Sequence, residues 1–193
     1  MNRFAKIVGF LLVTGGVFLS CNSTKNIVAP TAQSEALEAL IAKKSFTIES
    51  DWMYPLMTTG MNAIYNSGLI PPGSTVNSIN LTGNPNFVRI YGDSISMNLP
   101  FYGERQLPGQ YIRNEGGIVF QGVPDRYEVI KDEKKQTHLI KFTAKGDQES
   151  YRVTITLFPN WTTSININSS HRTSIRYRGV VSENDKEKSL VVN

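Results

Sequence analysis

The fold is decided by residues 136–179, which read QTHLIKFTAKGDQESYRVTITLFPNWTTSININSSHRTSIRYRG. Apolar and polar side chains alternate there over four short segments, at 136–144, 149–158, 162–168 and 173–179. Turn-forming pairs separate the first three segments, Gly146-Asp147 and Pro159-Asn160. A period of two with close turns is typical of antiparallel strands that bury one face. This stretch therefore predicts four consecutive strands of one antiparallel sheet.

The same pattern continues upstream as far as Ser45. Shorter alternating segments lie at 45–53, 79–81, 88–90, 95–99, 117–121 and 126–132. The three segments between 79 and 99 are joined by turn residues and are predicted to form a meander. A total of nine or ten strands predicts a mainly β fold, a single antiparallel β-barrel or half-barrel of lipocalin-like type. A β-sandwich is the alternative.

Two short helices are predicted near the start of the domain. Residues 34–44 carry apolar side chains at helical spacing, with acidic residues early and Lys43-Lys44 late, which suits the helix dipole. A second short helix is predicted after Tyr54-Pro55, because Met57, Met61 and Ile64 have helical spacing before the breakers that begin at Gly68.

The first 20 residues have the composition of an export signal. The opening MNRFAK is positively charged, and 7–19 is an almost uninterrupted apolar run. A spanning helix needs about 20 apolar residues, so this shorter run predicts a signal peptide, residues 1–20. Phe18-Leu19-Ser20-Cys21 resembles a bacterial lipobox, in which the cysteine is acylated and becomes the new N-terminus. Cys21 is the only cysteine and is the predicted lipidation site; the alternative is a secreted protein with an incidental thiol.

The predicted mature chain has three parts. Residues 21–33 are a flexible tether, residues 34–182 a β-rich globular domain, and residues 183–193 a polar C-terminal tail. Acyl chains on Cys21 would anchor the protein in a membrane. The residues after Cys21 lack the Asp that commonly retains lipoproteins at the inner membrane. The predicted location is therefore the outer membrane of a Gram-negative envelope, facing the periplasm.

The charge pattern argues against nucleic acid as a partner. Removal of a leader that contains Arg3 and Lys6 leaves 18 basic and 16 acidic residues, scattered along the chain. A nucleic-acid-binding domain usually concentrates its cations on one face. The predicted partners are the membrane, through Cys21, and either a small amphipathic ligand or another envelope protein.

The last predicted strand carries a candidate binding feature. Arg172, Arg176 and Arg178 fall on one face of an alternating segment, with apolar residues on the other. Guanidinium groups form bidentate pairs with carboxylates and phosphates, so this row is a candidate site for an anion or an acidic partner. The alternative is a solvated outer face that pairs with acidic residues on neighbouring strands.

The residues needed for common catalytic or metal chemistry are scarce. The chain has two histidines, His138 and His171, beside its single cysteine, so no metal or cofactor site is predicted. His138 shares a predicted strand face with Ile140 and Phe142, which favours a packing role. No catalytic residue is predicted, because nucleophile, Walker A and dinucleotide motifs do not occur. A hydrolase would need His171 within about 3 Å of a nucleophile or carboxylate in a cleft.

Several strings in the chain resemble one family of bacterial envelope lipoproteins, described as domain of unknown function 4251. The resemblance covers about 34–182 and rests on SF…DW at 45–52, GNPNF at 83–87, LPFYGER at 99–105, GGI at 116–118 and SHRTSIRYRG at 170–179. It implies an envelope lipoprotein with a mainly β fold. It brings no activity, substrate or catalytic residue.

Two main function hypotheses remain open at this point. The first is a non-enzymatic binding module, anchored through Cys21, that holds a hydrophobic or amphipathic small molecule in a cavity or groove. The second is a structural or interaction lipoprotein with a filled core. A hydrolase that uses His171 or the scattered carboxylates is the third and least supported hypothesis, because the motif chemistry it would need is absent. One fold hosts many functions, so only a site can decide among the three.

Overall fold

The computed structural model describes residues 28–107, 116–146 and 149–184. The predicted signal peptide, Cys21, most of the tether and nearly all of the polar tail lie outside the described residues. Within the described part, no helix is both long enough and apolar enough to cross a membrane.

One antiparallel sheet of ten strands forms the body of the protein and curls into a half-barrel. Its strands are β1 (Ser45–Pro55), β2 (Ile79–Asn80), β3 (Phe87–Tyr91), β4 (Ser94–Leu99), β5 (Ile118–Gly122), β6 (Asp125–Asp132), β7 (Thr137–Lys145), β8 (Ser150–Leu157), β9 (Thr162–Ser169) and β10 (Ile175–Glu183). Neighbours follow the order β5-β4-β3-β1-β10-β9-β8-β7-β6, and β2 pairs with β1. The predicted half-barrel is confirmed, and the β-sandwich alternative is wrong because the described strands share one sheet.

The four strands predicted from the decisive stretch are all present, as β7 to β10. They pair in sequence order, with Ile140 opposite Ile155 and Ile155 opposite Ile165. The inward side chains of these strands are at most 2 % exposed at Ile140, Phe142, Val153, Ile155 and Ile165. Burying such a side chain stabilises the fold by about 1.5–3 kcal/mol. Alternating hydrophobicity therefore sets which face of the sheet becomes the core.

The predicted meander is wrong in one strand. β3 and β4 form the expected hairpin around Gly92-Asp93, but β2 pairs with β1 and not with β3. Both β2 and β3 lie along the same edge of β1, β3 beside its first half and β2 beside its second. Between them, the Asn86 side chain bonds the backbone N–H and C=O of Ser50, each at 2.9 Å. This amide replaces the ladder bonds that a continuous strand would make.

Helix α1 (Ala32–Lys43) lies at one end of the half-barrel, and a second helix, α2 (Thr59–Asn66), follows β1. A capping box between Thr31 and Ser34 starts α1, two residues before the predicted start. Its apolar side chains join the core, and the Trp161 indole N–H donates to the Gln33 carbonyl at 3.1 Å. Val28 N–H donates to the Lys134 carbonyl at 2.9 Å. These bonds hold α1 against the β8–β9 turn and the residues before α1 against the β6–β7 turn.

Among the described strands, β5 and β6 lie at the two ends of the sheet order, and they are consecutive in the chain. The short link Val123-Pro124 carries the chain from one edge to the other. Both edges keep partly exposed valines, Val119 at 50 % and Val129 at 41 %. No backbone pairing joins β5 to β6 within the described ranges, which is the open side of the half-barrel.

Candidate functional site

The structure separates the three predicted arginines. Arg176 and Arg178 lie on the outward face of β10 and are exposed. Arg172 precedes β10 and is only 6 % exposed. The expectation that Arg172 extends an exposed row with the other two is wrong, because the chain at 170–174 is not in a strand and does not keep the two-residue period.

An open groove of about 570 Å³ lies on the outer face beside Arg176. The central elements of the sheet and the segment before β2 form it, with lining from Tyr54, Pro55, Leu56, Asn77, Ser78, Asn166, Ser174, Ile175 and Arg176. Cross-strand pairing sets its floor: Arg176 stands opposite Tyr54 on β1 and opposite Asn166 on β9. We call this the Arg176 groove.

The Arg176 groove carries one positive charge without a neutralising partner in its lining. None of its nine lining residues is acidic. The guanidinium carbon of Arg176 lies 4.8 Å from the centre of the Tyr54 ring, which is a cation–π distance. Stacking of this kind fixes the plane of the guanidinium and leaves its edge N–H groups free to bind an anion.

The remainder of the lining is mixed in polarity. Leu56 is 51 % exposed and contributes apolar surface, whereas Pro55 and Ile175 line the groove but are themselves buried. Asn77, Asn166 and the nearby serines offer amide and hydroxyl groups. The arrangement suits a molecule with an apolar part and one anionic group.

Arg172 belongs to a buried ion pair instead. Its Nε donates to Glu149 Oε2 at 2.9 Å, and both side chains are less than 10 % exposed. Tyr151 also donates to Glu149 Oε2, at 3.0 Å, and the Ser169 hydroxyl donates to Oε1. Arg105 lies at the rim of the cluster, with its Nη2 4.0 Å from Glu149 Oε2. The Glu149 carboxylate is thus surrounded by donors.

The same ion pair holds several loops in place. Arg172 Nη1 donates to the carbonyls of Gly116 and Gly117, at 3.1 and 3.0 Å. Its guanidinium lies 5.1 Å from the centre of the Phe101 ring. Because Arg172 comes two residues before Ser174, this anchoring fixes the segment that enters the Arg176 groove. We therefore assign the pair a positioning role.

Burial also controls the protonation of the cluster's tyrosine. Burial raises the pKa of Tyr151 above its ordinary value, and the neighbouring Glu149 charge raises it further. Tyr151 therefore remains protonated and acts as a donor to the carboxylate at all physiological pH values.

The two histidines occupy different environments. His138 faces the core, as predicted, is 4 % exposed, and has an Nδ1 without a hydrogen-bond partner among the described residues. Burial lowers its pKa below the ordinary value. His171 Nδ1 lies 2.7 Å from the hydroxyl oxygen of Ser170, which also accepts from the Ser150 N–H at 3.1 Å. The distance between His171 and Ser170 is short enough for the nucleophile–base pair of a hydrolase. The two residues are, however, neighbours in one turn, and hydrolase activity remains a hypothesis for this protein.

Sequence reasoning missed two parts of this region. Asn77 and Ser78 of the groove lie in a segment without periodicity, so no sequence signal marks them. Glu149 does have a sequence signal. It lies two residues before Tyr151 and four before Val153, so the two-residue period predicts that its side chain points inward like theirs. In the described ranges, no three His, Cys, Asp or Glu side chains are grouped to hold a metal ion.

The profile of a family described as "Domain of unknown function (DUF4251)" matches residues 30–181. This range contains α1, the Arg176 groove, the buried ion pair and every described strand, except for the last two residues of β10. A search of curated proteins finds no match. The chain belongs to the DUF4251 family.

Proposed function

We propose that this protein is a lipid-anchored lipoprotein of the Gram-negative cell envelope that holds an amphipathic anion in the Arg176 groove. The observation that carries the proposal is a guanidinium, stacked on Tyr54, in a groove whose lining has apolar surface and no acidic residue. A carboxylate or phosphate would pair with Arg176, and the apolar part of the ligand would lie on Leu56.

The size and position of the groove support this choice over a ligand in the lumen. Its volume, about 570 Å³, lies within the usual range for small-molecule sites, about 300–1,000 Å³. The inward side chains pack into one continuous core cluster. A ligand on the outer face does not need to displace that core.

The anchor part of the proposal rests on Cys21 at the end of the signal peptide and is tested separately. In the envelope of a Gram-negative host, the wild-type chain should partition into the detergent phase and gain the mass of its acyl chains, because each buried CH₂ contributes about 0.8 kcal/mol. Cys21→Ser should move the protein to the aqueous phase. A wild-type protein without the added acyl mass would contradict the proposal that Cys21 is lipidated. It would not affect the proposal that the Arg176 groove binds an anion.

The groove part predicts a charge-dependent affinity. Dodecyl phosphate, titrated below its micelle concentration, should bind the protein, and dodecanol should bind much more weakly. Arg176→Gln should weaken dodecyl phosphate binding by about tenfold or more, because a hydrogen bond to a charged group is lost. Isothermal titration calorimetry measures both constants.

Arg178→Gln is the matched control for this titration. Arg178 is exposed on the same face of the same strand, two residues away, and does not line the groove. It should leave the affinity within about twofold. Equal losses in the two variants would show that net charge, and not the groove, sets the binding.

A second candidate is an interaction lipoprotein without a small ligand. The continuous core cluster of the half-barrel favours it, since the apolar side chains of that cluster are almost fully buried. Under this hypothesis neither dodecyl phosphate nor dodecanol binds, and the exposed arginines contact another envelope component.

A further inference from the structure

A second cationic surface adjoins the Arg176 groove on the convex side of the sheet and shares Asn166 with it. Its charges are Lys141 on β7, Arg152 on β8 and Arg178 on β10, all exposed and all pointing outward. We call these residues, with the polar side chains between them, the basic sheet face. We propose that the basic sheet face binds an acidic polysaccharide.

Strand register sets the spacing of the charges. Lys141 pairs with Thr154, Arg152 with Asn168, and Arg178 with Ser164. Adjacent strands lie about 4.8 Å apart and residues along a strand about 3.4 Å apart. Arg178 is three strands from Lys141 and two residues along β10 from its row, so the two residues are separated by about 16 Å. Cations at such intervals can meet successive acidic units of an extended polymer, and no enclosed pocket is needed.

None of the three charges on this face forms a close ion pair among the described residues, although Glu128 on β6 stands opposite Lys141. β8 and β9 contain no Asp or Glu. Among the described residues, no carboxylate oxygen lies within 4.0 Å of the charged nitrogens of Lys141, Arg152 or Arg178. Lys145, by contrast, is paired with Asp125 at 2.7 Å and is not part of the face.

The chemistry between the charges favours a polysaccharide over a protein or a membrane. The outward positions of β8 and β9 are occupied by hydroxyl and amide side chains, Thr154, Thr156, Thr162, Ser164, Asn166 and Asn168. These groups both donate and accept hydrogen bonds, as sugar hydroxyls do. Protein interfaces and membrane-surface elements rely on aromatic or large apolar anchors, which these two strands do not present outward.

The test compares two triple variants with the same loss of charge. Lys141→Gln, Arg152→Gln and Arg178→Gln together remove the basic sheet face and keep Arg176. The control combines Lys43→Gln, Lys134→Gln and Lys135→Gln, which are exposed on α1 and the β6–β7 turn. Each is made in the mature chain from residue 21 with Cys21→Ser. Polygalacturonate carries carboxylates, dextran sulfate carries sulfate esters, and dextran is the neutral probe.

The proposal expects binding to polygalacturonate, dextran sulfate or both, and none to dextran. The face variant should bind about tenfold more weakly than wild type, and the control variant should bind within about twofold. Preference for one acidic polymer identifies carboxylates or anionic esters as the ligand chemistry. Equal losses of affinity in the face variant and the control variant would overturn the proposal that the basic sheet face binds an acidic polysaccharide. Binding to phosphatidylglycerol vesicles without binding to either acidic polymer would overturn it as well. Because Arg176 is retained, failure here does not affect the dodecyl phosphate result.

Discussion

Arg172→Ala is expected to lower the free energy of unfolding by about 3–5 kcal/mol. The substitution leaves Glu149 buried and charged without its main partner. It also removes the donor to the Gly116 and Gly117 carbonyls and the guanidinium over Phe101. Urea unfolding followed by circular dichroism measures the change.

Two comparisons separate this effect from the simple loss of an arginine. Arg178→Ala removes an exposed guanidinium and should change the free energy of unfolding by no more than about 0.5 kcal/mol. The double variant Arg172→Met with Glu149→Leu should be more stable than Arg172→Ala, because it leaves no unpaired buried charge. If Arg172→Ala and Arg178→Ala behave alike, the buried pair does not stabilise the fold.

The second large effect is expected at Gly179, where β10 passes a bulge in β1. The register of β1 shifts between Ser50 and Trp52, and Gly179 stands opposite Ser50. A methyl group on Gly179 would overlap the carbonyl oxygen of Glu49 and come within 2.6 Å of Ser50 Cα. Since both contacts are with backbone, Gly179→Ala should cost about 3 kcal/mol in the free energy of unfolding.

Gly116→Ala is the control for that substitution. A Cβ at Gly116 has no heavy atom of the described residues within 4 Å. Its unfolding free energy should stay within about 0.5 kcal/mol of wild type. A Gly179→Ala protein with wild-type stability would mean that β1 and β10 do not approach each other as closely as the structure shows.

The strands of the second half of the domain could be predicted because they need only local information. β7 to β10 are sequential neighbours, each alternates cleanly, and turns separate them. β2 could not be placed in the same way, because it has only two residues and its pairing with β1 depends on a bulge and on Asn86. Neither feature leaves a periodic signal.

The candidate site was predictable only in part, for a related reason. The two-residue period correctly put Arg176 and Arg178 outside, but it fails where the strand ends, and Arg172 lies three residues before β10. The Arg176 groove joins Tyr54 to Arg176 and Asn166, which are more than 100 residues away in the chain. Only the β1–β10 pairing brings them together.

The most direct test of the proposed function is mass spectrometry of organic extracts from protein purified gently from a native-like envelope. The wild type should carry an anionic amphiphile near one equivalent per chain, enriched over an unrelated exported control. Arg176→Gln should lose that molecule, and Arg178→Gln should keep it. Identical extracts from the wild type and Arg176→Gln would contradict the proposal that the Arg176 groove holds a ligand.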